Sequence, residues 1–376
     1  MRNKLVAAAI AGLVAVPAGA QAEAEVNWFG FNQITANTGG ADAQGDGGGL
    51  QFGADRIRIG YKAKFDSGAF SKLQVDFNST GVDNDNISPG DSISNTNQLP
   101  NIIKDAVVGY DFGPANVQVG MRKTPIGMDF NTSGKKLDII KRGMEKDYVL
   151  ERTNGAYVFG NASGVGYAAF IGNPATRSGA VDEDRSVNDA GNFGETNSYG
   201  GRLDYSMGKL LYAEISYGMS AATDTVNNAE DYSVFDIGVK SMPMPGLTLK
   251  AEYLDASNVD NVDSRDQTVW FAHAGYEFTP MVEGVVRHYN SEHDPASGSS
   301  STVSETWIGA NFFLNPEVHH EARIQLFYAM AGGDTKDSDY GGGNSAGDFH
   351  RIKGAQYNAD DGDYDGAIWA MFQTSF

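Results

Sequence analysis

The sequence predicts an all-β chain that closes into a sixteen-stranded antiparallel transmembrane β-barrel. Three observations carry this expectation. Amphipathic runs of about ten residues are joined alternately by tight turns and by long Gly/Asp/Asn/Ser-rich loops. The chain begins with an export signal. It ends on an amphipathic run whose last residue is aromatic, Phe376. Alternation of short and long connections puts all tight turns at one rim and all long loops at the other, as a barrel standing in a bilayer requires.

Arg2 and Lys4 form a basic start, Leu5 to Val16 is apolar, Pro17 interrupts it, and Ala20-Gln21-Ala22 offers a small-x-small cleavage site. The apolar stretch is shorter than the ~20 residues of a membrane span. Residues 1–22 therefore read as a cleaved signal peptide, and 23–376 as the barrel. The chain carries a net charge of −20, which becomes −22 without the two basic residues of the signal. That excess of acid argues against nucleic acid as a partner. There is no Cys, so disulfides, thiol catalysis and Cys-ligated metals are excluded. Mean hydropathy is −0.36, and no segment of the mature chain is apolar enough for a membrane helix. A membrane protein of this composition must span as a closed barrel, because backbone groups in lipid have to pair internally.

Tight turns are expected at Asp66-Ser67-Gly68, Gly113-Pro114-Ala115, Asn161 to Gly164, Met207-Gly208-Lys209, Met242 to Gly246, Thr279-Pro280-Met281 and Asn315-Pro316-Glu317. Each contains Gly, Pro or Asn, which accept turn dihedrals. The flanking runs alternate with period two, most clearly from Arg56 to Phe65. Seven hairpins give fourteen strands, and the runs Val26 to Thr35 and Ala367 to Phe376 make sixteen. Both ends then lie at the short-turn rim, where first and last strands can pair. A barrel of this size leaves an aqueous lumen. Long loops fall near 36–50, 80–101, 124–152, 173–196, 220–231, 257–265, 291–302 and 331–363. Within the third, Leu137 to Met144 is expected to form a helical turn or two.

Signal peptide, strand count, loop alternation, long third loop and terminal Phe together resemble the sixteen-stranded porins of Gram-negative outer membranes, over the whole mature chain. The resemblance implies a homotrimer in outer-membrane lipid and lipopolysaccharide. It implies recognition of Phe376 by the barrel-assembly machinery, passive diffusion of ions and small hydrophilic solutes, no cofactor, and a third loop (124–152) folded into the barrel as a constriction. Lys123-Thr124-Pro125-Ile126-Gly127 is also similar to the start of this loop in phosphate-selective porins. The acidic Pro-Glu-Phe-Gly-Gly-Asp motif of enterobacterial porins is absent, so their selectivity is not carried over.

Strand parity selects the lumen-facing residues. With Ile57, Ile59, Tyr61, Ala63 and Phe65 toward lipid, Arg56, Arg58, Lys62 and Lys64 face water. Lys72, Gln74 and Asp76 turn inward on the next strand, and Arg122 lies beside Gln118. A Lys or Arg on the lipid face at mid-bilayer costs ~2–4 kcal/mol. The basic residues therefore form a ladder on one wall. Residues 122–152 hold eight basic and five acidic groups. Candidate constriction residues there are Arg122, Lys123, Asp129, Lys135, Lys136 and Asp138. A basic constriction favours anions. Alternatively, Asp129 and Asp138 face the basic wall across a transverse field. Trp28, Phe29, Tyr110, Phe112, Tyr205, Tyr276, Phe278, Phe312, Tyr328 and Phe376 are candidates for interfacial girdles.

Catalytic motifs do not assemble. Gly343-Asn344-Ser345-Ala346-Gly347 has nucleophile-elbow spacing but lacks the flanking strand and helix. Gly127 and Gly134-Lys135 miss the phosphate-loop spacing. His319 and His320 point to opposite faces of a strand, and His288 and His293 fit no metal motif. Asp360, Asp361 and Asp363 in the acidic last loop are weak Ca²⁺ candidates; a solvated loop is the simpler reading. The expected function is a diffusion channel, anion-leaning at its constriction. A substrate-specific channel, a barrel enzyme and a surface adhesion protein are the alternatives.

Overall fold

A computed structural model describes residues 24–38, 49–77, 102–173, 197–222, 230–340, 346–358 and 361–376. Residues 1–22, expected to be a signal peptide, and Asp360 and Gly343-Asn344-Ser345 lie outside these. The chain forms β1 (Ala24–Thr38), β2 (Leu50–Phe65), β3 (Ala69–Asp76), β4 (Ile103–Asp111), β5 (Ala115–Lys123), β6 (Arg152–Ala162), β7 (Val165–Gly172) and β8 (Ser198–Met207). The second half adds β9 (Leu211–Ser220), β10 (Tyr232–Met244), β11 (Leu247–Ser257), β12 (Asp266–Thr279), β13 (Val282–Asp294), β14 (Ser301–Phe313), β15 (Ala322–Gly333) and β18 (Ala367–Ser375). These sixteen strands make one closed antiparallel barrel, in which each pairs with its neighbours in sequence and β18 pairs with both β15 and β1. A small hairpin, β16 (Gln356–Asn358) with β17 (Asp363–Asp365), sits in the last loop.

The tight turns fall where Gly, Pro and Asn place them. Gly68, Gly113, Gly164, Gly208 and Gly246 all have positive φ, which a residue with a Cβ adopts only at a cost. One bulge departs from strict period two. Gln33 pairs with Arg56 and Ile34 with Ala54, so Asp55 is the extra residue and its carboxylate reaches Arg56.

Trp28, Tyr110, Phe112, Tyr205, Tyr276, Phe278, Tyr328 and Phe376 are exposed on the barrel's outer face. Phe29 departs from the girdle expectation. It has lumen parity, and Lys62 and Lys72 lie 5.8 and 5.9 Å from its ring centre.

The third loop folds into the barrel. It contains α1 (Met128–Asn131) and 3-10 turns at Gly134–Lys136 and Met144–Tyr148. The helical turns expected over 137–144 are absent. There the backbone is held by the wall instead: the carbonyl of Asp138 accepts from Asn311 Nδ2 at 3.0 Å and Gln325 Nε2 at 3.1 Å. Ile126, Phe130, Ile139, Ile140, Met144, Tyr148, Val149 and Leu150 of this loop are buried in one apolar cluster with inward residues of β10–β15 and β18. The third loop is thus packed by apolar contacts against that side of the lumen.

Candidate functional site: an eccentric channel along a basic wall

The inner faces of β2 to β5 carry Arg56, Arg58, Lys62, Lys64, Lys72 and Arg122 against four carboxylates, Asp55, Asp76, Asp105 and Asp111. Arg58 Nε donates to Asp76 Oδ2 at 2.7 Å. Asp105 is shared between Lys72 and Arg152, the latter at 3.8 Å. Arg122 donates to Gln118. Four acids do not neutralise six bases, so the wall keeps a net positive charge, with Asp55 beside Arg56 toward one end and Asp111 near Lys64 at the other.

The cations stand on aromatic rings. Arg122 lies 4.0 Å from the ring centre of Phe159, Arg58 5.5 Å from that of Phe31, and Lys123 4.2 Å from that of Phe130. A ring face attracts the cation and holds it without adding a neutralising charge. Lys123 Nζ is further committed to the carbonyl of Phe130, which ties the root of the third loop to α1.

The opposite wall anchors the loop. Asp138 Oδ2 accepts from Lys250 Nζ at 2.5 Å and from Arg287 at 2.9 Å. Arg287 also pairs with Asp129 Oδ1 at 3.3 Å. Asp129 and Asp138 therefore face β11 and β13, and the reading in which they oppose the β2 ladder does not hold. The loop reaches across the lumen, and its acids meet the cations of the far side. Asp129 is only 1 % exposed and lies at the loop–wall contact, not on the water path. Burial pushes the carboxyl of Asp138 up, but Lys250, His273 and Arg287 outweigh it and hold the group well below the usual carboxylate range. Glu252 caps the start of α1, accepting from the N–H groups of Met128 at 2.9 Å and Asp129 at 2.8 Å. Glu145 is fully enclosed beneath the loop. Burial first and Asp129 second push its carboxyl up to about 7, against the pull of Arg287 and Arg142.

Of the third-loop residues, Lys135 and Lys136 occupy the 3-10 turn beside β1 and β18, where Gln33 and Gln373 bond the carbonyls of Gly134 and Lys135. Lys136 is exposed and Lys135 half-buried. Arg142 braces the loop from within, donating to the carbonyls of Asp129 and Thr132. Lys250, Arg287 and Arg202 were not singled out by sequence. Each has correct lumen parity, but only the path of the loop gives the first two their role. No group of three His, Asp or Glu capable of holding a metal ion occurs among the described residues.

This architecture matches known proteins. The family model for phosphate-selective porin O and P matches residues 27–276, about two thirds of the chain. No curated protein matches it. Similar solved structures include the anion-selective porin from Comamonas acidovorans, with 14% identity, TM-score 0.64, and coverage of 94% of this chain and 100% of that one. The outer membrane channel DcaP of Acinetobacter baumannii has 14% identity and TM-score 0.61, covering 95% and 99%. The trimer form of OmpT from Vibrio cholerae has 9% identity and TM-score 0.60, covering 94% and 99%. At such identities the likeness speaks for the fold, and the family match supplies the rest: the chain is an outer-membrane β-barrel and belongs to the phosphate-selective porin O and P family.

Proposed function

We propose that this porin passes small hydrophilic anions by passive diffusion along the β2–β6 wall. The observation that carries the reading is the six-to-four excess of inward basic over acidic side chains on β2–β5. Opposite them the third loop packs into the lumen in an apolar cluster. Lysine and arginine rings lower the barrier to anions where water is confined. Arg56, Arg58, Lys62, Lys64, Lys72 and Arg122 line this path, and Lys135 and Lys136 flank it from the loop. The packed lumen favours a narrow, solute-discriminating channel over a wide general pore.

In this reading the protein catalyses no reaction and needs no cofactor. Residues 1–22 are removed on export, 23–376 form the barrel with 124–152 as its constriction, and three copies assemble. The terminal Phe376 serves barrel insertion. The test is a planar bilayer recording of the mature protein under a KCl gradient. A reversal potential on the chloride side, with conductance closing in three equal steps, is the expected result. Cation preference would refute the anion path.

A further inference from the structure

The third loop is not the only segment inside the barrel. The last loop also turns inward through α2 (Ala346–His350) and residues 351–355. Its anchor is Glu305 on β14, which is fully buried. One carboxylate oxygen of Glu305 accepts three successive backbone N–H groups, from Lys353 at 3.0 Å, Gly354 at 2.5 Å and Ala355 at 3.1 Å. The other accepts from Trp307 Nε1 at 3.1 Å. Trp369 Nε1 donates to the carbonyl of Gly354 at 2.8 Å.

Gly354 lies flat on the wall: a Cβ there would come within 2.3 Å of the Trp307 ring and 2.4 Å of Ala329. Farther out, the ring nitrogens of His350 sit 2.9 Å from Ser291 Oγ and 3.0 Å from Ser301 Oγ. The same segment grips the third loop. Lys353 pairs with Asp147, and Tyr148 donates to the carbonyl of Phe349.

We infer that Glu305 is a positioning residue that staples the last loop into the lumen, and that this second inward segment, locked to the third loop, closes the β13–β18 side of the channel. Charge-assisted bonds are about twice as strong as neutral ones, and a carboxylate aimed at three consecutive amides fixes a loop that has no strand to pair with. Only the β2–β6 side then remains for solute. This rests on the anion-path reading and adds the element that confines solute to it.

The test uses the full mature protein in planar bilayers, recording single-channel conductance, reversal potential in a KCl gradient, and exclusion of polyethylene glycols of graded size. Glu305→Ala removes the staple. Replacing residues 346–355 by a short glycine linker removes the segment while leaving every barrel strand intact. Both variants are checked for a folded barrel by the shift in electrophoretic mobility on heating. Conductance is expected to rise roughly two-fold in each, with a larger excluded polymer, as the aqueous cross-section grows. Anion preference should fall, because the new path lies away from the basic wall. Glu305→Gln, which keeps one acceptor oxygen, should fall between Glu305→Ala and the parent.

Folded variants with the parent's conductance, cut-off and reversal potential would overturn the inference. So would a linker variant that opens while a folded Glu305→Ala does not, since the loop would then be held by something else. If Glu305→Ala does not fold, the linker variant decides. A cation-selective parent whose variants nonetheless open would sink the anion path and leave the staple standing.

Discussion

Asp138→Asn is the sharpest perturbation of the constriction. It keeps the shape of the side chain and leaves the backbone carbonyl free to accept from Asn311 and Gln325. It removes the charge that holds Lys250 at 2.5 Å and Arg287 at 2.9 Å, both nearly inaccessible to water. Breaking a buried ion pair from one side costs ~3–5 kcal/mol. Arg287 retains Asp129 at 3.3 Å, so the lower figure, ~3 kcal/mol, is the better expectation. At 1.4 kcal/mol per decade, the undocked population of the loop should rise on the order of 100-fold.

Two assays read this: open-channel current noise, and limited trypsin digestion of the folded protein at Lys141, Arg142 and Lys146. Both should increase. Pairing Asp138→Asn with Lys250→Met should recover part of the loss, because the stranded cation is gone. Because the carboxyl is held below its ordinary range, its contribution is present above the unfolded carboxylate value and persists into acid, fading only as pH falls through the lower folded value. Docking should therefore survive mild acid in the parent. Unchanged noise and proteolysis in Asp138→Asn would refute the assignment of Asp138 as the loop's anchor.

Glu145 works in the other direction. Its folded value, about 7, exceeds the ordinary 4.5, so the stability it contributes by staying protonated is present in acid and is lost as pH rises through 7, a difference on the order of 3 kcal/mol. The parent's channel noise should rise from about pH 4.5 to pH 7 and level off above it, and Glu145→Gln should abolish that dependence. Neutralising Arg58 and Arg122 to Gln should reduce the anion-to-cation permeability ratio, read from reversal potentials, roughly five-fold per charge if each acts with ~1 kcal/mol in a water-filled lumen. Gly143→Ala places a methyl within 2.2 Å of the Tyr289 ring, which Arg287 bonds at 2.9 Å. It should reproduce the proteolytic sensitivity of Asp138→Asn at unchanged pore charge.

Strand parity was legible wherever one face of a strand is wet. On β2, β3 and β5 the inner residues are charged or polar, so Arg58, Lys72 and Arg122 could be placed from alternation alone. On β12 to β15 the inward set mixes large apolar side chains with polar ones: Trp270 and Ile308 face out while Phe271 and Trp307 face in, beside His273, Arg287, Glu305 and Gln325. Where such rings face in, the period-two signature weakens, and that weakening was itself a signal that something packs against them from within. Phe349, His350 and Ile352, bulky residues in an otherwise small and acidic loop, were the matching clue. The roles of Arg287, Lys250 and Glu305 were not legible, because each is defined by a partner between 49 and 158 residues away that only the folded loops bring to it. For Asp129 and Asp138 the sequence left the facing wall open, since parity says nothing about which side a loop crosses to; the folded loop sets them against Lys250 and Arg287.

Closure of the ring has a consequence for how the protein is made. Seven residue pairs join β1 to β18, among them Phe31 with Ser375, and the last strand also zips to β15. The joint between beginning and end forms only after the whole polypeptide is available, which is the most non-local contact the sequence can make and the slowest to find. Until then two strand edges stand open, and in hydrocarbon each unpaired amide or carbonyl costs several kcal/mol. A chain truncated before Ala367 would keep nearly all of its strands and still have no stable place in the bilayer. Such truncations should be cleared by proteolysis during biogenesis instead of accumulating as weakened pores.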